Sequence, residues 1–474
     1  RSSLSANVSW VPIGLQRPSG VRAMGRSALL FEEIKNLLAP GQLGKLPASS
    51  EPLLDCEDAS PGATTTAASF SDDGHELTVQ EAVFNLTNTV LGVGVLTVPY
   101  AFRLSGYISI LLIFITILVT SQTGVYIGSA LKLAARSPEA QSVPRRGRDF
   151  AFLAFQGFGG SGEKLIGLIT SLEIWFALVV YIVMNGINIS AVSGGHVGPE
   201  TAAIMSCALA ALMVFLPMRV YSYFSLVASI ALALAGLAVV AAALTMEEWA
   251  NPYNHLGEPA LVQLQNIPRS IGIIVFCFAG HPCFPIVYEC MKEPQYWMTS
   301  VYLTFCLAFM YYGGLGVFGY LVFGQDLQAS VTQNVELLPQ AWLFRQIAFL
   351  CFAVKIQFTA PMPLNAIMVA LWRPEGPREW TPGRSVALVA LTAATAVTAV
   401  TFSKQVAVVA ALTGSLFTMS TAVLFPAAID LCLACRYEER ALLSAQNLVH
   451  LLVLIFGVVI AVAGTYLSVL DLIQ

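Results

Sequence analysis

The chain has 474 residues, 56% of them hydrophobic and only 11% charged. Soluble globular chains carry about 25% charged residues, so a soluble enzyme or binding domain is excluded for most of its length. A net charge of −4 lacks the basic balance that a nucleic-acid partner requires.

Residues 1–78 are polar and rich in Ser, Pro and Gly, as in "LPASSEPLLDCEDASPGATTTAASFSDDG". Such a composition buries too little apolar surface to fold alone and predicts a largely disordered cytoplasmic segment. Within it, "SALLFEEIKNLLAPG" places Leu29, Leu30, Phe31, Ile34, Leu37 and Leu38 on one helical face, between a Ser27 cap and a Pro40-Gly41 stop. Glu33 to Leu38 also fits an acidic dileucine sorting signal. The sequence begins at Arg1 rather than Met, as a chain lacking its true N-terminus would, and no secretory signal peptide is present in it.

From residue 79 onward the chain reads as one transmembrane domain, 79–474, with apolar spans long enough to cross ~30 Å of hydrocarbon as helices. They fall near 81–104, 107–131, 163–190, 201–217, 222–245, 267–290, 298–323, 342–371, 385–402, 405–432 and 446–470. Lys and Arg set the orientation. With the N-terminus in the cytoplasm, the cytoplasmic loops hold Lys132, Arg136, Arg145, Arg146, Arg148, Arg219, Lys292, Arg373, Arg378, Arg384, Arg436 and Arg440. The other side holds Arg103 and Lys404, with Arg269 and Arg345 near span ends, and its long loops 246–266 and 324–341 hold none. The C-terminus is then expected to be luminal or extracellular.

Two spans contain residues that break helices. The first reads "NLTNTVLGVGVLTVPYA", with Gly92, Gly94 and Pro99; the sixth reads "VFCFAGHPCFP", with Gly280, His281, Pro282 and Pro285. If spans 1–5 and 6–10 are related halves, the breaks correspond, which points to a transporter binding site. Unwound backbone at membrane depth is tolerated only where it lines a cavity or is buried in protein. The amides around Gly92, Val93 and Gly94, continuing to Val95, suit a carboxylate at the start of a half-helix. The carbonyls around Cys277, Phe278, Ala279 and Gly280 suit an ammonium group. Asn88, one turn before the first break, suits coordination of the freed backbone. Asn85 in "NLT" and Asn188 in "NIS" match a glycosylation pattern but fall in or beside spans.

These same stretches carry a family resemblance. "NLTNTVLGVGVLTVPYAFRLSGY", "SIGIIVFCFAGHPCFPIVYECMKEP" and "VVAALTGSLFTMSTAVLFP" resemble the amino acid/auxin permease family. "AVKIQFTAPMPL" and "FGVVIAVAGTYLSVLDLI" are similar to its vesicular inhibitory and vacuolar amino acid transporter branch. The resemblance covers roughly 80–474. It implies an all-α polytopic protein of LeuT-like fold, with a five-plus-five inverted repeat, one extra helix, and helices 1 and 6 broken among eleven. It also implies amino acid substrates, proton coupling, and a vacuolar, lysosomal or vesicular membrane.

A charge in mid-bilayer costs at least about 2.5–3.5 kcal/mol, so each buried ionisable group needs a reason. Lys355 lies mid-way through the eighth span in "CFAVKIQFT". In the leucine-transporter fold, spans 1 and 8 frame a sodium site, so an ammonium there is expected to stand in for the ion; snorkelling to an interface is the bland alternative. Glu173 in "TSLEIWFALVVY" is a candidate proton carrier or one half of a structural pair. His281 at the sixth-span break titrates ordinarily in the range of an acidic compartment; the alternative is a neutral ring satisfying loose carbonyls. Glu289, Lys292 and Glu293 are expected as interfacial ion-pair partners or gate elements, and Phe278 as a pocket wall. Thr413, Gly414 and Ser415 in span 10 permit close helix approach. Cys432 and Cys435 have redox-motif spacing but no second pair. No P-loop, zinc-spaced His/Cys cluster or nucleophile elbow occurs, so no enzyme, metal or cofactor is expected.

The reading is a secondary active transporter for small neutral amino acids, working by alternating access, coupled to protons and acting as a monomer in the bilayer. The competing readings are a plasma-membrane proton/amino acid or auxin symporter, an amino acid sensor signalling through residues 1–78, and a channel.

Overall fold

The computed structural model describes residues 76–216, 218–245, 259–371, 381–442 and 444–473. The expectations for the first 75 residues lie outside the described residues. Among those described, regular structure is helical apart from one parallel bridge between Leu77 and Met291. This is what a bilayer demands: without water, a spanning segment satisfies its backbone groups within itself.

The first helix, α1 (Val79–Val90), starts at a reciprocal cap. The Thr78 hydroxyl accepts from the Glu81 amide, and the Glu81 carboxylate accepts from the Thr78 amide at 2.8 Å. Val79, Ala82, Val83, Leu86 and Val90 form its buried stripe. A 3₁₀ turn (Val93–Leu96) leads into α2 (Val98–Ser105), where Pro99 sits at a first-turn position that needs no amide donor.

There follow α3 (Ser109–Ala134), the short α4 (Pro138–Ser142), α5 (Phe150–Val192), α6 (Pro199–Met213) and α7 (Met218–Leu244). The sixth span is split into α8 (Ile267–Cys277) and α9 (Phe284–Cys290), joined through a 3₁₀ turn at His281–Cys283. Then come α10 (Trp297–Phe323), α11 (Val331–Glu336), α12 (Trp342–Thr359), α13 (Pro361–Leu371) and α14 (Pro382–Thr401). The tenth span runs from α15 (Val406–Leu412) through a π-helical stretch, Thr413–Leu424, into α16 (Phe425–Tyr437); α17 (Ala445–Ile473) ends the chain.

Nine helical stretches among the described residues are long and apolar enough to cross a membrane. The two other spans expected from sequence are the interrupted Val79–Ser105 and the 15-residue α6. The range given for α5 holds two helices that meet at Gly159, whose φ of 71° and ψ of −169° are not helical. The first is capped where the Asp149 carboxylate accepts from the Phe152 amide at 2.9 Å; the second carries the third span, expected from near 163.

The core is built from α8, α3, the π-helical stretch and α17, with Tyr126, Ile271, Val275, Met419, Val423 and Val453 packed together. Gly414 permits the closest crossing: a Cβ on it would stand 1.8 Å from the Gly272 carbonyl oxygen. Hydroxyls inside the π-helical stretch bond to carbonyls four residues back, Ser420 to Leu416 at 2.6 Å and Thr421 to Phe417 at 3.2 Å. These bonds compete with the regular ladder. The terminal helix α17 is held by a buried contact between His450 and Asp430 at 2.8 Å, with the His450 ring stacked on Tyr126 at 3.9 Å.

Candidate functional site

Each break leaves backbone groups without their usual helical partners. The Tyr312 hydroxyl, on α10 and fully buried, answers both. It lies 2.8 Å from the Val90 carbonyl oxygen and 3.0 Å from that of Cys277, and it accepts from the Gly92 amide at 3.2 Å. With a single proton, it serves one carbonyl fully or both partially. This one atom ties the end of α1 to the end of α8. Gly280 adopts φ 141° at the second break, a region closed to most side chains, and a Cβ there would lie 2.8 Å from Thr89 Cγ2.

Between the breaks lies a cavity of about 170 Å³. Asn85, Asn88, Thr89 and Gly92 line it from α1 and the first break, and Ala279, Gly280, Pro282 and Cys283 from the second. Helix α5 contributes Glu173, Ile174, Ala177 and Tyr181; α7 contributes Ser225 and Ala228; Lys355, Phe358, Thr359, Met362 and Pro363 complete the wall. The lining precedes the first break and follows the second. Successive spans alternate in direction, so the cavity leans toward the side of the molecule on which Leu77 meets Met291.

Among the described residues, one carboxyl and one amine side chain face this cavity. Lys355 is 4% exposed, and its Nζ donates to Asn88 Oδ1 at 3.4 Å. The same oxygen accepts from the Ser229 hydroxyl at 2.8 Å, while Asn88 Nδ2 donates to Ser225 Oγ at 2.6 Å. Asn88 thus joins α1, α7 and α12 through one amide. Glu173 is 4% exposed, and its Oε2 accepts from the Thr421 hydroxyl of the π-helical stretch at 2.7 Å.

Of the residues singled out from sequence, Asn85, Asn88, Gly92, Ala279, Gly280, Lys355 and Glu173 line this cavity. Val95 and Cys277 are buried beside it in the packing between the breaks, and a Cβ on Gly94 would meet Cys277 Sγ at 2.7 Å. Val93 opens the 3₁₀ turn. The Phe278 ring packs edge-on against Tyr312 at 5.3 Å rather than walling the cavity. His281 is fully buried and outside the lining; its Nε2 lies 2.9 Å from the Thr120 carbonyl oxygen and 3.3 Å from Thr123 Oγ1. Glu289 receives Arg145 at 3.1 Å and Arg148 at 3.8 Å. Close by, the Leu77 amide donates to the Cys290 carbonyl at 2.7 Å, and the Lys292 amide to the Leu77 carbonyl at 2.9 Å. These contacts pin the outer ends of α1 and α9 together. On the opposite side, Arg103 Nη1 donates to the Leu327 carbonyl at 2.5 Å, and the Gln263 amide to the Ser105 carbonyl at 2.9 Å.

Residues 75–470 match the family model described as transmembrane amino acid transporter protein. The chain belongs to this family. It is a multi-pass membrane transporter and not an enzyme. It is similar to amino acid transporter AVT1E of Arabidopsis thaliana, 27% identical over 91% of this chain and 84% of that one. It is also similar to the vesicular inhibitory amino acid transporter of Mus musculus, 25% identical over 85% of this chain and 77% of that one. Its backbone resembles the crystal structure of MhsT in complex with L-phenylalanine, with a TM-score of 0.56 at 13% identity, covering 84% of this chain and 98% of that one. The fold is LeuT-like.

Sequence reasoning passed over Tyr312, Thr421, Ser225 and Ser229; Tyr181 was weighed as a pocket wall beside Phe278, Phe284 and Trp175, and it lines the cavity. Tyr312 stands in "AFMYYGGLG" and Thr421 in "TMSTAVL". Each is a polar atom in an apolar span, the one local signal that a buried partner waits on another helix.

Proposed function

We propose that this chain moves small neutral amino acids by alternating access, coupled to protons, with the substrate held between the two breaks. The observation that carries the reading is that both interrupted spans, a lysine and a glutamate converge on one cavity. At about 170 Å³, it falls below the ~300–1,000 Å³ typical of sites for drug-sized ligands. A small solute with both charges suits it: freed carbonyls at the end of α8 attract an ammonium, and amides at the start of the 3₁₀ turn attract a carboxylate. Lys355 takes the place of a coupling cation between α1 and α12, holding Asn88 while the cavity is formed. Asn88 leaves or returns with α1 as the site opens and closes. His281, buried behind the break, is the third proton-coupling candidate and acts through α3.

The transporter domain is assigned to residues 79–474 and follows a cytoplasmic segment, 1–78. The Lys and Arg bias supports a cytoplasmic N-terminus and a luminal C-terminus, so the cavity leans toward the cytoplasm. The membrane is a vesicular, vacuolar or lysosomal one rather than the plasma membrane; the mouse relative's name supports the vesicular reading. The chain acts as a monomer. Counterflow in proteoliposomes against a panel of labelled L-amino acids, with and without an imposed pH gradient, tests this reading. Saturable counterflow of small neutral amino acids, enhanced by the gradient, supports it. Absence of counterflow for the whole panel overturns it.

A further inference from the structure

Glu173 presents two unequal oxygens. Oε2 accepts from Thr421 Oγ1 at 2.7 Å, whereas Oε1 is buried and makes no hydrogen bond of good geometry among the described residues; the buried Thr418 hydroxyl of the π-helical stretch, likewise without such a bond, also interacts with this carboxyl group. The side chain is 4% exposed and lines the cavity. A buried carboxylate oxygen left unpartnered is costly, and either a proton or a cationic N–H removes the cost. The other ionisable groups facing the cavity do not supply it. Lys355 of α12 turns its ammonium to Asn88, and no ion pair joins it to Glu173 among the described residues. Cys283 from the second break and Tyr181, two turns further along α5, are neutral, as are the Asn85, Asn88, Thr89 and Ser225 side chains of α1 and α7. The π-helical stretch offers the hydroxyls of Thr418 and Thr421 and no charge.

We propose that Glu173 Oε1 is the shared seat of the substrate's amine and of a proton, so that the two bind in competition. This rests on the reading of the cavity as the substrate site and adds to it a named amine ligand. When the amine arrives, its N–H donates to Oε1 and the proton that occupied that oxygen leaves to the aqueous phase. When the substrate departs, a proton returns. Amino acids are therefore bound in preference to their 2-hydroxy acid analogues, which carry the same side chain and carboxylate without the cationic group.

Equilibrium binding to the purified full chain tests this, with the twenty tritiated L-amino acids as probes and the L-2-hydroxy acid analogue of each binder as competitor. For the wild type, affinity falls by about tenfold per pH unit once the proton competes, the slope for one exchanged proton. The hydroxy acid competes at least tenfold more weakly than the amino acid. In Glu173→Gln, affinity drops tenfold or more, the pH slope disappears, and discrimination against the hydroxy acid shrinks to under threefold. A Glu173→Gln protein that binds with unchanged slope and discrimination overturns the proposal while leaving the substrate site standing. A wild type that binds amino acids independently of pH does the same without any variant, should the glutamine form not fold. A wild type that binds no amino acid overturns both readings.

Discussion

Replacing Lys355 by Met separates a functional lysine from a structural one, because the two roles predict opposite signs. Met keeps most of the volume and removes the charge. The Nζ–Oδ1 contact to Asn88 at 3.4 Å is long for a hydrogen bond, so the low end of the ~1.5–3 kcal/mol for bonds to charged groups applies. Losing about 1.5 kcal/mol between α1 and α12 shifts any equilibrium in which these helices separate by roughly tenfold. Against this, the variant no longer holds a cation in mid-membrane, a relief of at least about 2.5 kcal/mol. Thermal stability is therefore expected to stay level or rise while gradient-driven uptake falls at least tenfold. Tryptophan-fluorescence melting of the purified protein and uptake into proteoliposomes measure the two quantities on one preparation. Uptake at the wild-type rate, or a melting temperature lowered together with uptake, would refute the reasoning.

Tyr312→Phe removes the hydroxyl that serves Val90, Gly92 and Cys277. The expected cost is about 1–3 kcal/mol, seen as a lower melting temperature and a several-fold higher KM for counterflow. Gly280→Ala forces a side chain into φ 141° and against Thr89 Cγ2 at 2.8 Å. Strain of about 1–3 kcal/mol at the cavity wall should cut uptake tenfold or more with expression preserved, as flux per molecule by quantitative blotting will report. Gly414→Ala sets a Cβ 1.8 Å from the Gly272 carbonyl, backbone against backbone. Overpacking costs of about 1–3 kcal/mol or more should appear as loss of the monodisperse peak in size-exclusion chromatography.

Much of the architecture was legible in the sequence because a bilayer imposes one secondary structure and a fixed length. Both breaks were readable from Gly92, Gly94 and the Gly280–Pro282 cluster, whose backbone requirements are local. Lys355 and Glu173 were readable because charge in an apolar span is expensive wherever it points. What could not be read was direction. Cys277 ends α8 and Phe278 follows it at the second break, yet their side chains turn into the packing around Tyr312 while Ala279 and Gly280 turn to the cavity. Periodicity fails where the helix does, so no spacing rule separates these neighbours. Tyr312 depends on three elements far apart in sequence, and its span shows only an ordinary aromatic. The π-helical stretch was hidden for a related reason: "TGSLFTMSTAVL" carries the small residues of any close helix crossing. The extra width shows only in the hydrogen bonds.

The most direct test is a cryo-electron microscopy map of the full chain, recorded at saturating concentration of the amino acid with the strongest counterflow. The account predicts ligand density bounded by Gly92, Ala279, Gly280, Glu173 and Lys355, with its amine beside Glu173 Oε1. Density for that amino acid elsewhere, or an unfilled cavity under the same saturating conditions, would contradict it.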